Sequence, residues 1–189
     1  MLHLASQSPR RSELLTRLGV AFGHLDLNVP EQQGASEAAA DYVRRVAREK
    51  AGAGLLKVIG SAEAVVLGAD TEVILDGRVF GKPADAIDAA AMLRQLSGRT
   101  HEVLTAVSLV SAAREAQATS LTQVVVAALS DADIQHYIDS GEWRGKAGAY
   151  AIQGQFEAHV ERISGSYSGV MGLPLHETAA LLRQFGVLA

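Results

Sequence analysis

The 189-residue chain contains no cysteine, which excludes a disulfide framework, a thiolate metal site and a cysteine nucleophile. That composition suits a reducing compartment, and the cytoplasm is the expected location. Proline is scarce, at 4 residues, and no Gly/Ser/Pro-rich tract, repeat or low-complexity segment marks a linker. The expectation is a single domain over residues 1–189, or two closely joined lobes. No apolar run approaches the ~20 residues needed to span a bilayer, and residues 1–20 lack a basic stretch leading into an apolar one. A soluble chain with no targeting signal and no membrane partner is therefore expected. A basic excess is missing as well: the formal net charge is -4, which argues against a nucleic-acid partner.

The common nucleotide and hydrolase signatures are also absent. There is no GxxxxGK[ST] loop, GxGxxG fingerprint, HExxH helix or GxSxG elbow. The histidines at 3, 24, 101, 136, 159 and 176 show no ligand spacing, and His101, at the start of a strand pattern, reads as structural. Any metal would be a hard cation, magnesium or manganese, held by carboxylates and phosphate oxygens.

What is present is an α/β pattern with 48% hydrophobic residues, enough to bury a real core. After a short first strand and a helix closed by Gly19, Ala21–Asp26 reads as a second strand and Asn28–Ala35 as a polar loop. Ser36 is the expected cap of a long helix to about Leu56. Ala64–Leu75 is the strongest strand signal, followed by a helix at about Ala84–Leu96 that Gly98 ends. Strand-like runs at His101–Val110 and Leu121–Leu129 suit a hairpin, and Ser130-Asp131-Ala132-Asp133 opens a short helix to Ser140. A glycine-rich loop, Gly141–Gly154, leads to a strand at about Phe156–Ile163. The last helix opens at Leu173-Pro174 and ends near Phe185.

Three places break the pattern in ways that suggest chemistry. The chain begins Leu4-Ala5-Ser6-Gln7-Ser8-Pro9-Arg10-Arg11, with Ser8 as expected N-cap and Pro9 at the first helical position. Two cations thus sit where the helix dipole favours an anion; a bound phosphate would resolve the conflict, and so would arginines pointing into water. In the strand, alternation puts Gly68, Asp70 and Glu72 on one face, where a carboxylate is costly to bury without a partner. Gly68 would leave room for a ligand there, or the face is simply wet. On the long helix, Lys50 continues the apolar stripe Tyr42, Val43, Val46 and Ala47, so it either snorkels to solvent or meets a buried anion. Lys82, in Gly81-Lys82-Pro83, adds a cation near a helix start, and Glu31 sits in a polar loop as a side chain expected in water.

Read in order, several segments resemble the Maf family of nucleoside triphosphate pyrophosphatases almost end to end. They are Ser6-Gln-Ser-Pro-Arg-Arg11, Arg48-Glu-Lys-Ala51, Gly68-Ala-Asp-Thr71, Gly81-Lys-Pro83, Leu96-Ser-Gly-Arg-Thr-His101, Lys146-Ala-Gly-Ala-Tyr-Ala-Ile-Gln-Gly154 and Ser166-Tyr167 through Gly172-Leu-Pro174. The resemblance implies a mixed α/β fold with a twisted sheet and two lobes around a deep cleft. It implies metal-dependent hydrolysis of a nucleoside triphosphate to the monophosphate and pyrophosphate. The family's general base falls on Asp70, and its polar residues fall on Ser6, Arg11, Glu31, Lys50 and Lys82, with Glu31 and Asp70 as metal ligands. Glu72 receives no catalytic role, because many relatives have an apolar residue there. Arg10, Thr71 and Gln153 match the subgroup that prefers dTTP and UTP, whereas the 7-methyl-GTP subgroup reads Gly-Ser-Asp-Gln at the strand motif. Modified pyrimidine triphosphates are further implied substrates, in a house-cleaning role. The family often forms homodimers, and its name is also tied to septum formation, so a nucleotide-binding regulator of division is the alternative class.

Overall fold

The computed structural model describes residues 1–61 and 63–189. The strands are β1 (Leu2–Ala5), β2 (Phe22–His24), β3 (Val65–Leu75), β4 (Arg78–Phe80), β5 (Thr100–Val110), β6 (Glu115–Val126) and β7 (Val160–Ser164). The helices are α1 (Pro9–Thr16), α2 (Ala39–Lys57), α3 (Ala86–Leu96), α4 (Asp131–Ser140), α5 (Tyr167–Met171) and α6 (Leu175–Gln184). This is a mixed α/β fold, and the sheet runs β2-β1-β3-β5-β6-β7, with β4 paired to β3. β1 is parallel to both β2 and β3, while β3–β4 and β6–β7 are antiparallel.

The chain divides into two compact units, one of Met1–Asp70, Thr105–Ser120 and Gly172–Ala189, the other of Thr71–Leu104 and Leu121–Met171. The core of the first contains Leu4, Leu14, Val43, Val46, Ala51 and Leu67, all fully buried. That of the second holds Leu93, Leu96, Tyr137, Ile152 and Phe156, with the Phe156 ring 5.1 Å from Tyr137 and 4.6 Å from Tyr150. Side chains of this size each contribute about 1.5–3 kcal/mol when removed from water.

Two glycines set how closely α2 approaches β3. A Cβ on Gly68 would lie 2.4 Å from the Ala47 carbonyl oxygen and 2.5 Å from the Ala51 nitrogen. One on Gly54 would lie 2.7 Å from a Val66 methyl. The room left by Gly68 is thus filled by the helix backbone, not kept for a ligand, and the strand has no wet face: every residue of β3 but Thr71 is buried.

Local chemistry moved several expected boundaries. Ser36 does not cap α2, which starts at Ala39, because a turn between Gly34 and Glu37 keeps residues 34–37 outside the helix. Ser8 occupies the cap position of α1 but its hydroxyl makes no cap bond; its own N–H instead donates to Ser6 Oγ at 3.1 Å. The strand expected from Phe156 begins at Val160, since burial of Phe156 winds Gln155–His159 into a short 3-10 helix. β5 and β6 do join through a tight turn, closed by Ser111 N–H to the Arg114 carbonyl at 2.9 Å. The capping box at Ser130 and Asp133 is present, and α4 ends at Ser140 before left-handed Gly141.

Candidate active site

In the first unit, the close approach of α2 to β3 decides where Lys50 ends. The helix buries Tyr42, Val43, Val46, Ala47, Lys50, Ala51 and Gly54, so Lys50 is part of the packed face and is only 8% exposed. Its ammonium does not snorkel to solvent. It donates to Asp70 Oδ1 at 2.8 Å and lies 2.6 Å from Glu31 Oε1. A longer contact, 3.4 Å, reaches the Ala69 carbonyl. Glu31 is therefore tied down rather than simply solvated, and the polar loop that carries it is folded against α2.

Asp70 is 3% exposed, and its second oxygen, Oδ2, has no hydrogen-bond partner among the described residues. Leaving a buried carboxylate oxygen without a donor is costly unless a ligand or water completes it. A ligand or water at Oδ2 is the natural complement of this carboxylate.

A second cluster in the same unit lies at the end of β1. Ala5 pairs with Gly68, so the chain leaves β1 at Ser6, beside the β3 segment that carries Asp70 two residues further on. In parallel sheets, ligands gather at this carboxyl end of the strands. Arg11 does not point into water: its Nε donates to the Gly172 carbonyl at 2.8 Å, and a terminal nitrogen lies 3.4 Å from Ser6 Oγ. Two segments 161 residues apart thus fix one guanidinium at the start of α1. Arg10 is half-buried on the same first turn.

The second unit carries Thr71, Lys82 and Gln153. Thr71 is half-buried directly after Asp70 in the strand, while Lys82 and Gln153 are exposed in loops. Their loops are tied together, because Gly148 N–H donates to the Gly81 carbonyl at 3.2 Å. Glu72, the second carboxylate of the strand, is 6% exposed in this unit. His101 is buried and structural, as expected, with Nε2 at 2.7 Å from the Tyr150 hydroxyl. Burial lowers its pKa to about 4 and pushes that of Tyr150 up. The carbonyl of Gly172 and the support under Gln153 were not singled out from sequence, although both lie in the motifs that carry the family resemblance.

A mixed α/β chain that holds an arginine at a helix start, and a buried lysine between a strand aspartate and a loop glutamate, has polar groups suited to anionic, phosphorylated substrates. The chain belongs to the Maf family: the family profile described as Maf-like protein matches residues 1–185. The nucleoside triphosphate pyrophosphatase of Xylella fastidiosa is 59% identical over 186 residues, covering 98% of both chains. The dTTP/UTP pyrophosphatase of Xanthomonas euvesicatoria is 59% identical over 188 residues, covering 98% of this chain and 99% of its own. Among solved structures, the Staphylococcus aureus Ham1 protein aligns over 66% of this chain and 71% of its own, at TM-score 0.48 and 12% identity.

Proposed function

We propose that the chain is a nucleoside triphosphate pyrophosphatase that hydrolyses dTTP and UTP, and modified pyrimidine triphosphates, to the monophosphate and pyrophosphate. The observation that carries this reading is the convergence of Asp70 and Glu31 on the Lys50 ammonium in a Maf chain with two such relatives at 59% identity. Water attacks the α-phosphorus, the bond to the bridging oxygen breaks, and pyrophosphate leaves with that oxygen. Asp70 holds Lys50 through Oδ1, which leaves Oδ2 to orient the water and accept its proton. Arg11, positioned by Gly172 and Ser6, binds phosphate oxygens and stabilises the charge that develops on them, and Lys82 has the same role by the family resemblance. Phosphoryl-type transfer depends mainly on such positioning and electrostatics.

The donor set fits a divalent metal. The described residues contain no group of three or more metal-ligating side chains, and magnesium is commonly held by one or two carboxylates plus substrate phosphates and water. Glu31, with Asp70, would hold magnesium or manganese, whose charge would polarise a phosphate oxygen when bound. Arg10, Thr71 and Gln153 select the base. The Gln153 carboxamide can both donate to and accept from a pyrimidine edge.

The same reading places the protein in the cytoplasm, acting on nucleotide pools without nucleic acid, and as a homodimer. No helix among the described residues is long and apolar enough to cross a membrane. The deciding experiment is pyrophosphate release from a panel of triphosphates with magnesium or manganese. Cleavage of dTTP and UTP ahead of purine triphosphates is expected. Tight binding without cleavage would overturn the enzyme in favour of a nucleotide-binding regulator.

A further inference from the structure

The loop 146–154 has little regular secondary structure, yet it is fixed from four sides within the second unit. Gly148 N–H donates to the Gly81 carbonyl, and a Cβ on Gly148 would lie 2.8 Å from a Val73 methyl, so the loop lies directly on β3. Ala151 N–H donates to the Tyr137 hydroxyl of α4 at 3.0 Å. Gln155 N–H, just beyond the loop, donates to Glu142 at 2.9 Å. The fourth anchor comes from β5, where His101 Nε2 meets the Tyr150 hydroxyl at 2.7 Å. Between these anchors, Gly148 and Ala149 are both left-handed, at φ 67° and 62°. An alanine keeps that conformation only when its surroundings impose it, and Ala149 is fully buried.

We propose that His101 and Tyr150 are positioning residues for base selection: their buried hydrogen bond fixes the loop that presents Gln153. The proposal rests on the reading that Gln153 meets the base. Tyr150 and Gln153 are three residues apart, joined through Ala151 and Ile152, both buried. With so short and immobile a connection, a displacement of the Tyr150 ring is passed to Gln153 rather than absorbed. Nε2 pairs with the hydroxyl in either tautomer, as donor or as acceptor, and burial, which lowers the His101 pKa, favours the neutral ring. Neither residue touches substrate in this scheme; both act through the loop. Hydrogen-bonded recognition of a base needs that precision, because a donor or acceptor misplaced by a fraction of an ångström no longer discriminates.

The test compares kcat/KM for dTTP and GTP, together with competitive inhibition by inorganic tripolyphosphate, which has no base to read. Tyr150→Phe keeps the ring against Phe156 and removes only the hydroxyl. It is expected to lower the dTTP-to-GTP ratio by about fivefold or more, mainly through KM for dTTP, with tripolyphosphate inhibition within about twofold of the parent. His101→Leu should reproduce that loss, and His101→Gln, whose amide reaches as far as Nε2, should restore the ratio. This histidine pair carries the test if Tyr150→Phe fails to fold. An unchanged ratio in Tyr150→Phe and His101→Leu, with Gln153→Ala flattening it, would overturn the positioning role alone. Equal weakening of both nucleotides and of tripolyphosphate would also overturn it, as a merely structural effect. If Gln153→Ala itself leaves the ratio unchanged, the base-reading role falls, and the positioning role with it.

Discussion

Both units use the same device against the same strand, a glycine that lets a second element lie directly on β3, but they hold it in place with opposite chemistry. At Gly68 in the first unit the element is α2, and the result is an ionic cluster, Lys50 with Asp70 and Glu31. At Gly148 in the second unit it is a loop, and the result is a set of neutral bonds to His101, Tyr137 and the Gly81 carbonyl. Charges gathered where a bond is to be broken stabilise developing charge but demand mutual compensation when buried. Neutral buried bonds contribute less energy each but fix geometry without attracting a counter-ion. Under the proposed function, the reaction rests mainly on the first region and base selection mainly on the second.

Removing the cation is the sharpest way to test that division. Lys50→Met leaves the 3%-exposed Asp70 carboxylate without its partner and is expected to lower kcat/KM for dTTP by about a thousandfold and to destabilise the fold by about 3–5 kcal/mol at neutral pH. Adding Asp70→Asn to that variant should recover most of the stability in a urea titration, and none of the turnover. If the double variant is as unstable as the single one, charge compensation is not what Lys50 supplies.

The two glycines give the next contrast. Gly68→Ala drives a methyl into the Ala47 carbonyl and must lift α2, with a cost of about 3 kcal/mol and loss of most turnover on every triphosphate. Gly148→Ala meets the buried Val73 side chain, its Cβ included at 3.0 Å, and a left-handed backbone; about 2–3 kcal/mol is expected, with a changed base ranking and retained chemistry. Thermal denaturation together with kinetics on dTTP and GTP separates the two. Identical kinetic signatures would erase the distinction between the regions.

The last effect concerns pH and stability alone. His101 has its pKa lowered from 6.5 to about 4 in the folded state, so the unfolded chain binds the extra proton first. Its stabilising contribution is complete above about pH 6.5 and is lost as pH falls toward 4, by on the order of 3 kcal/mol in all. Tyr150 does not titrate in this window, since burial pushes its pKa up. His101→Gln should flatten the stability profile between those values, measured by urea denaturation at a series of pH values. A slope equal to that of the parent would show that other groups set the acid sensitivity.

Much of this was legible in the residues, and what was not has identifiable causes. The stripe on α2 gave Lys50 its place on the packed face because helical periodicity survives tertiary packing, whereas alternation alone left open whether the Gly68–Glu72 face would be buried or wet. The purpose of Gly68 was not legible, since a glycine that admits a ligand and one that admits a helix look alike in one dimension. Glu31 entered only through the family resemblance, because a polar loop says nothing of which distant cation it will meet. β4 was readable and overlooked: Asp76 and Gly77, at φ 52° and 77°, form the two-residue hairpin turn that an Asp-Gly pair favours, pairing Leu75 with Arg78. The Arg11 to Gly172 bond spans nearly the whole chain, and no local pattern encodes it.

The most direct measurement is pyrophosphate release from dTTP by Asp70→Asn, which keeps the shape of the side chain and its bond from Lys50 but cannot accept a proton from water. Turnover reduced by at least about a thousandfold, with thermal stability near that of the parent and dTTP still bound, is the expected result. Near-normal pyrophosphate release from the folded variant would contradict the account at its centre.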